Sequence, residues 1–376
     1  MNFDDELQEG MRRWRSNRYF AEELWKSYFS NPDTVVEGPK IVPRVPASSD
    51  IGILIILSED ANLTEYELAL NSLKCYALIH NYGFRIERVN DGWNTKCPHK
   101  QFMFKRHCIT SYLLDEHHWT LFIDADVGVV NPNRLLDDYI IANNNKSDII
   151  FFDRFFDWEI AAGSYFVKNS NFSSEFLRQF ADIEYILPES FVGSDNGAIH
   201  WLFITKFFPN ISILSSNDCW KIWEKSRDFT DLFVFEACCR QIMGESRLFH
   251  DPNNKGTVRI LPKSKSWMRD VWITDSKWSI ESDFMLHGWK HSILVPYISN
   301  STAWNRSKTR RKWGRWWRPL AFDNFPDESC KSSTVTWKYW KSLMIDQKTL
   351  QEMLQQRHET VRKDFYQHVG QIPLYI

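Results

Sequence analysis

The chain lacks several features that would assign it quickly. Its first fifty residues hold no apolar run near the roughly 20 residues that a spanning helix needs and no signal-type apolar segment, so either the protein works in the cytosol or this sequence begins downstream of an anchor. Net charge is nearly absent. The 46 Lys and Arg against 48 Asp and Glu leave −2, so no global field draws the chain to nucleic acid or anionic lipid, and any such contact is local. Neither a glycine-rich phosphate loop nor GxGxxG follows the first apolar strand, which argues against a dinucleotide dehydrogenase. The seven cysteines, Cys75, Cys97, Cys108, Cys219, Cys238, Cys239 and Cys330, show no metal-ligand spacing and no dense disulfide framework. Their odd number leaves at least one thiol without a partner in the chain.

Aromatic residues are what the chain has in plenty. Among 376 residues, 43% are hydrophobic and 18 are Trp, which is enough for a full core in one large domain or two ordinary ones. The aromatics either fill that core or offer apolar faces for stacking on sugar rings or bases. Asn-x-Ser/Thr sites occur at Asn62, Asn145, Asn171, Asn210, Asn300 and Asn305, more than composition alone predicts, which points to a secretory lumen.

Residues 1–50 read as a charged helix followed by a Pro-bearing linker, residues 51–300 as the principal domain, and residues 301–376 as a basic, Trp-rich segment with a C-terminal helix. Ile51 to Leu57 is a buried-strand run, Thr64 to His80 has helical spacing, and Phe84 to Val89, Gln101 to Leu114 and Trp119 to Val130 continue the alternation. Such alternation predicts an α/β fold, a mostly parallel mixed sheet with helices on both faces. Further on, Asp148 to Phe152 and Gly163 to Val167 read as strands, Phe172 to Ile183 and Asn196 to Phe208 as helices. Asp231 to Phe235 and Phe284 to Gly288 read as the last strands of the sheet. Residues 337–366 read as a polar helix with a weak apolar stripe. Between Trp304 and Arg318 stand seven cations, four Trp and no acid, a composition suited to phosphate contact plus stacking, to a basic lip over a diphosphate, or to an aromatic wall for a glycan.

The most informative segment is Leu121 to Pro132, LFIDADVGVVNP. An Asp-x-Asp tripeptide is common by chance, but here an apolar strand runs straight into it, which holds Asp124 and Asp126 near the C-terminal edge of a buried strand. Two like charges there are costly unless a cation neutralises them, and hard oxygen ligands favour Mg²⁺ or Mn²⁺. In parallel sheets ligands bind at the carboxyl ends of strands, where Ser58 also falls.

IGILIILSED, HNYGF, LFIDADVGVVNP, EIAAGSYFVKNS, GSDNGAIHWLF and FMLHGWK occur in an order that resembles retaining nucleotide-sugar glycosyltransferases of the A-type fold. The similarity is to the Golgi alpha-galactosyl, mannosyl and xylosyl transferases, more distantly to glycogenin-like enzymes, and most to a nematode-expanded family of unknown function related to them. This resemblance implies a nucleotide-diphospho-sugar transferase fold, a Mn²⁺ or Mg²⁺ cofactor, and metal ligation by Asp124, Asp126 and His287. It implies donor binding by Ser58, Gly163, Ser164, Gly288 and Lys290, and a place beside the anomeric carbon for Asp195 and Asn196. Asn196 stands where the family has Gln, and Ser194 or Asp195 could instead cap the following helix. The implied partners are a nucleotide sugar, with uridine diphosphate the favoured carrier, and a glycan or glycoprotein acceptor; nucleic acid is not expected. The implied site of action is the Golgi lumen. A catalytically silent relative that binds glycan or nucleotide would share these motifs, and Tyr66, Asp153 and Arg154 are further candidates for nucleobase stacking and for holding donor hydroxyls.

Overall fold

The computed structural model describes residues 34–43, 50–142, 146–209, 216–295 and 316–372. Its principal strands, in chain order, are Ile51–Leu57 (β1), Gly83–Arg88 (β2), Trp119–Ile123 (β3), Val127–Val129 (β4), Ile149–Phe152 (β5), Ser164–Lys168 (β6), Leu248–His250 (β7), Thr257–Leu261 (β8), Met268–Asp270 (β9) and Met285–His287 (β10). Seven of them form one mixed sheet in the order β2-β1-β3-β6-β5-β8-β7, in which β6 and β7 run against the other five. β1 and β3 are buried along their whole length, so the sheet has to be covered on both faces.

That cover divides the alternate side chains of each strand. Ile53, Ile55 and Leu57 belong to a core shared with Leu70, Leu73 and Tyr76 of Glu67–His80 (α1). Leu54 and Ile56 face a second core with Phe104, Phe176, Phe203 and Phe235, which come respectively from Phe102–Tyr112 (α2), Asn171–Asp182 (α3), Ser194–Phe207 (α4) and Phe229–Met243 (α5). The abundant Trp serve these cores: Trp119, Trp223, Trp267, Trp278, Trp289 and Trp337 are all fully buried.

Three sequence expectations change. Asp231 to Phe235 is not a strand but the first turns of α5, whose N-cap Asp228 accepts from the N–H groups of Thr230 and Asp231. The four-residue apolar run from Leu232 to Phe235 is the same signal in a buried helix as in a buried strand, and the burial continues at Cys239, Ile242 and Met243 with helical spacing. The Phe284 to Gly288 strand does form, as β10, but outside the main sheet. It lies between β9 and β4 in a three-stranded sheet, parallel to the first and antiparallel to the second. Part of the expected linker, Val35–Glu37, is itself a strand and pairs with Lys338–Trp340, so the C-terminal helix Gln347–Val369 (α6) starts later than its sequence suggests. The expected N-terminal helix and Trp304 to Arg315 lie outside the described residues.

Disulfides join Cys75 to Cys330, Cys97 to Cys108 and Cys219 to Cys238, and the Cys239 thiol is free and buried. Among the described residues no helix is long and apolar enough to cross a membrane.

Candidate active site

The chain leaves β3 at Ile123 and turns at once into β4, so Asp124 and Asp126 sit in the turn at the C-terminal edge of the sheet. The register of β4 against β10 places Val127 opposite His287, and the N–H groups of Gly288 and Trp289 both donate to the Asp126 carbonyl at 2.9 and 2.8 Å. In this way His287, remote in sequence, is pinned beside the acidic pair. One donor atom each from Asp124, Asp126 and His287 lie within 4.8 Å of one another, the one grouping among the described residues that could hold a metal ion.

The three groups open on a cleft of about 280 Å³ that is also lined by Ser58, Tyr66, Arg106, Arg154, Gly163, Asp195, Asn196, Asp270 and Lys290. Of the residues expected to bind a donor, Ser58, Gly163 and Lys290 therefore meet the acidic pair. Ser164 does not line the cleft. Its hydroxyl donates to the Phe122 carbonyl at 3.0 Å and accepts from the Trp267 indole at 2.9 Å, because successive β6 side chains alternate and this one points into the sheet. Gly288 lies behind His287 with φ of 102°, a conformation that suits glycine, and it too is absent from the wall of the cleft.

Asp195 is buried but does not cap α4. The cap position is Gly193, in a left-handed conformation and with no side-chain hydrogen bond. The Asp195 carboxylate turns instead to α2, where its Oδ2 accepts from Arg106 Nε at 3.2 Å, Arg106 Nη2 at 2.6 Å and His107 Nε2 at 3.0 Å. The remaining Arg106 nitrogen, Nη1, donates to Asp124 Oδ1 at 2.5 Å, so one guanidinium ties Asp124 to Asp195. Burial pushes Asp195 upward, but Arg106 and His107 outweigh it and hold the carboxyl below its usual range. His107 is driven down to about 4 chiefly by burial, so it is neutral, donates from Nε2 to Asp195 and accepts at Nδ1 from the Tyr165 hydroxyl.

The acidic pair itself is asymmetric. Burial raises Asp124 above the ordinary carboxylate range, whereas His287 and Lys290 overcome burial at Asp126 and hold it well below. His287 Nε2 is 3.3 Å from Asp126 Oδ1, and Lys290 Nζ is 3.6 Å from Asp126 Oδ2. On the other side of the ring, Nδ1 is 2.7 Å from Asp270 Oδ1. Burial would lower His287, but Asp126 and Asp270 raise it to about 10. Arg154 bonds Asp270 and Glu159 rather than its neighbour Asp153, which pairs with Arg240 and Arg247 away from the cleft.

A family described as a protein of unknown function, DUF273, matches residues 73–303, well over half of the chain and all of the site except its β1 side. The chain belongs to that family. No curated protein matches it. Among solved structures, a glycosyltransferase involved in the glycosylation of the major capsid of PBCV-1 aligns at 14% identity over 63% of this chain and 93% of that one, with a TM-score of 0.32. A197 from STIV aligns at 13% identity over 34% and 68% of the two chains, with a TM-score of 0.22. Likenesses of this level carry no weight for the chemistry of this DUF273 chain, which stands on the residues of its site.

Arg106, His107 and Asp270 were not singled out from the sequence. The one local signal for the first two is an adjacent Arg-His pair inside an otherwise core-forming helix, and for Asp270 an Arg-Asp pair set between apolar residues in SWMRDVW.

Proposed function

We propose that this protein transfers a hexose or pentose from a nucleoside diphosphate sugar to a glycan or protein acceptor, with a divalent metal held by Asp124, Asp126 and His287. The observation that carries this reading is the meeting of two carboxylates and an imidazole beside Lys290 in one cleft at the C-terminal edge of the sheet. Two oxygen donors and one nitrogen suit Mn²⁺, and Mg²⁺ less well. When bound, the ion would neutralise charge on the departing diphosphate. Lys290 adds a second positive charge on that side, and Ser58 and Tyr66 border the part of the cleft nearest β1, where the nucleoside would lie.

Arg106 faces the cleft between Asp124 and Asp195, placed to donate to hydroxyls of the transferred sugar. Asp195 has one oxygen occupied by three donors, which makes it a weak nucleophile; this supports transfer on one face of the sugar with the donor phosphate taking the acceptor proton, and the alpha-linked product is proposed on the sequence resemblance. Uridine diphosphate is the favoured carrier on the sequence resemblance. Three disulfides and an excess of glycosylation sites support an oxidising, Golgi-type lumen as the working compartment.

A screen of nucleotide sugars with Mn²⁺, scoring release of nucleoside diphosphate with and without glycan acceptors, tests the proposal. Turnover of one donor that EDTA abolishes is expected. Failure of the wild-type protein to bind or turn over any nucleotide sugar in Mn²⁺ would overturn it.

A further inference from the structure

We infer that Asp270 is a positioning residue: its carboxylate fixes the His287 ring so that Nε2 faces the metal site, and Arg154, braced by Glu159, holds that carboxylate in place. The inference rests on the metal reading above. A histidine that ligates a metal must present a bare nitrogen, and a neutral imidazole has only one. Which nitrogen is bare is set by the partner of the other.

At His287 that partner is a carboxylate. Both ring nitrogens face carboxylates, Nδ1 2.7 Å from Asp270 Oδ1 and Nε2 3.3 Å from Asp126 Oδ1. An ionised carboxylate only accepts, so when an ion takes the place of the proton on Nε2, Asp270 keeps the remaining proton on Nδ1 and leaves the Nε2 lone pair on the side where Asp126 and Asp124 lie. Asp270 cannot serve as a fourth ligand to the same ion, because it sits at the opposite nitrogen of the ring. Its place is fixed by backbone rather than by side-chain packing. β9 runs parallel to β10 with Asp270 in register with His287, so the two side chains leave neighbouring strands on one face.

A buried carboxylate needs compensation, and Arg154 supplies it: Nη2 lies 3.3 Å from both Asp270 oxygens. Its Nη1 donates to Glu159 at 2.7 Å, which holds the guanidinium in place at the wall of the cleft. The row Asp126, His287, Asp270, Arg154, Glu159 thus alternates in charge or hydrogen-bonding sense from the metal site into the protein interior.

The test is calorimetric titration of Mn²⁺ into the full chain and into Asp270→Asn, Asp270→Glu and Asp126→Asn. An amide at position 270 can turn its NH₂ to the ring and shift the imidazole proton to Nε2, so Asp270→Asn is expected to weaken Mn²⁺ binding by about 10–100-fold, with partial recovery in Asp270→Glu. Nitrogen NMR of His287 in the Mg²⁺-loaded protein should show the proton on Nδ1 in wild type and its loss there in Asp270→Asn. Equal Mn²⁺ affinity of wild type and Asp270→Asn, with or without a fall in melting temperature, would overturn the role of Asp270 and leave the metal site standing. No Mn²⁺ binding by wild type would overturn both.

Discussion

The Asp124 carboxylate occupies the space that a side chain at Gly163 would need. A Cβ at position 163 would come within 2.1 Å of Asp124 Oδ2, while the Gly163 carbonyl already accepts from the Asp124 N–H at 2.9 Å. Backbone and side chain of Asp124 are therefore both set by one glycine on the neighbouring strand connection. Gly163→Ala is expected to displace the carboxylate, weaken Mn²⁺ binding at least about tenfold and leave the sheet folded. Calorimetric titration with circular dichroism as a fold control would show it; an unchanged Mn²⁺ affinity would remove Gly163 from the site.

Asp126→Asn removes one charge without changing volume. It should abolish Mn²⁺-dependent nucleotide binding, measured by fluorescence with a labelled nucleoside diphosphate, while the melting temperature in EDTA moves by no more than a few degrees. Nucleotide bound as tightly as by wild type in Mn²⁺ would exclude Asp126 as a ligand.

Asp195→Asn separates the proposed catalytic role of this carboxylate from its part in stability. The substitution leaves the buried Arg106 with one carboxylate instead of two, so it should cost stability but less than the about 3–5 kcal/mol of leaving a buried charge with no partner. Turnover per folded molecule should also fall with little change in KM, since Arg106 would lose its aim at the sugar. Normal kcat in the folded fraction of a destabilised variant would assign Asp195 to stability alone.

Two histidines predict acid sensitivity. His200 accepts the Ile160 N–H at Nε2 and donates from Nδ1 to the Asn196 carbonyl, so it works only when neutral, and burial with the charge of Arg240 drives it down to about 3. His107, at about 4, is neutral for the same principal reason. Both take up a proton near pH 6.5 when the chain unfolds, so the unfolded state binds more protons between about pH 6.5 and 4. The stabilisation is complete above that window and declines as pH falls through it. Urea titrations from pH 7 to pH 5 should show falling stability, and His200→Gln should flatten the slope.

The disulfides differ in reach. Cys75–Cys330 spans 255 residues and ties α1 to Asp327–Lys331, whereas Cys97–Cys108 spans 11. Loop-closure entropy gives about 5 kcal/mol for the first and about 3 kcal/mol for the second. Replacing the first pair by serine should lower the urea midpoint more than replacing the second.

The sequence by itself placed β1, β3, α1 and the acidic pair at a strand end, because burial on both faces and helical spacing are local properties written into a dozen consecutive residues. Ser58, Asp124 and Asp126 could be named for that reason, whereas Gly163, Lys290 and His287 were named only through the resemblance of short motifs to a known family. Tertiary structure alone decided the rest. Asp231 to Phe235 became helix because its neighbours, not its own apolar run, supply a cap and a continuing buried stripe. Ser164 left the cleft because the alternation of β6 turned it inward. Arg106 and Asp270 carry only a faint local mark: one meets Asp124 and Asp195 only through the docking of α2 against the end of β3, and the other meets His287 only through the register of two strands. Contacts between distant segments depend on how whole sheets and helices dock, and no short stretch of sequence contains that information.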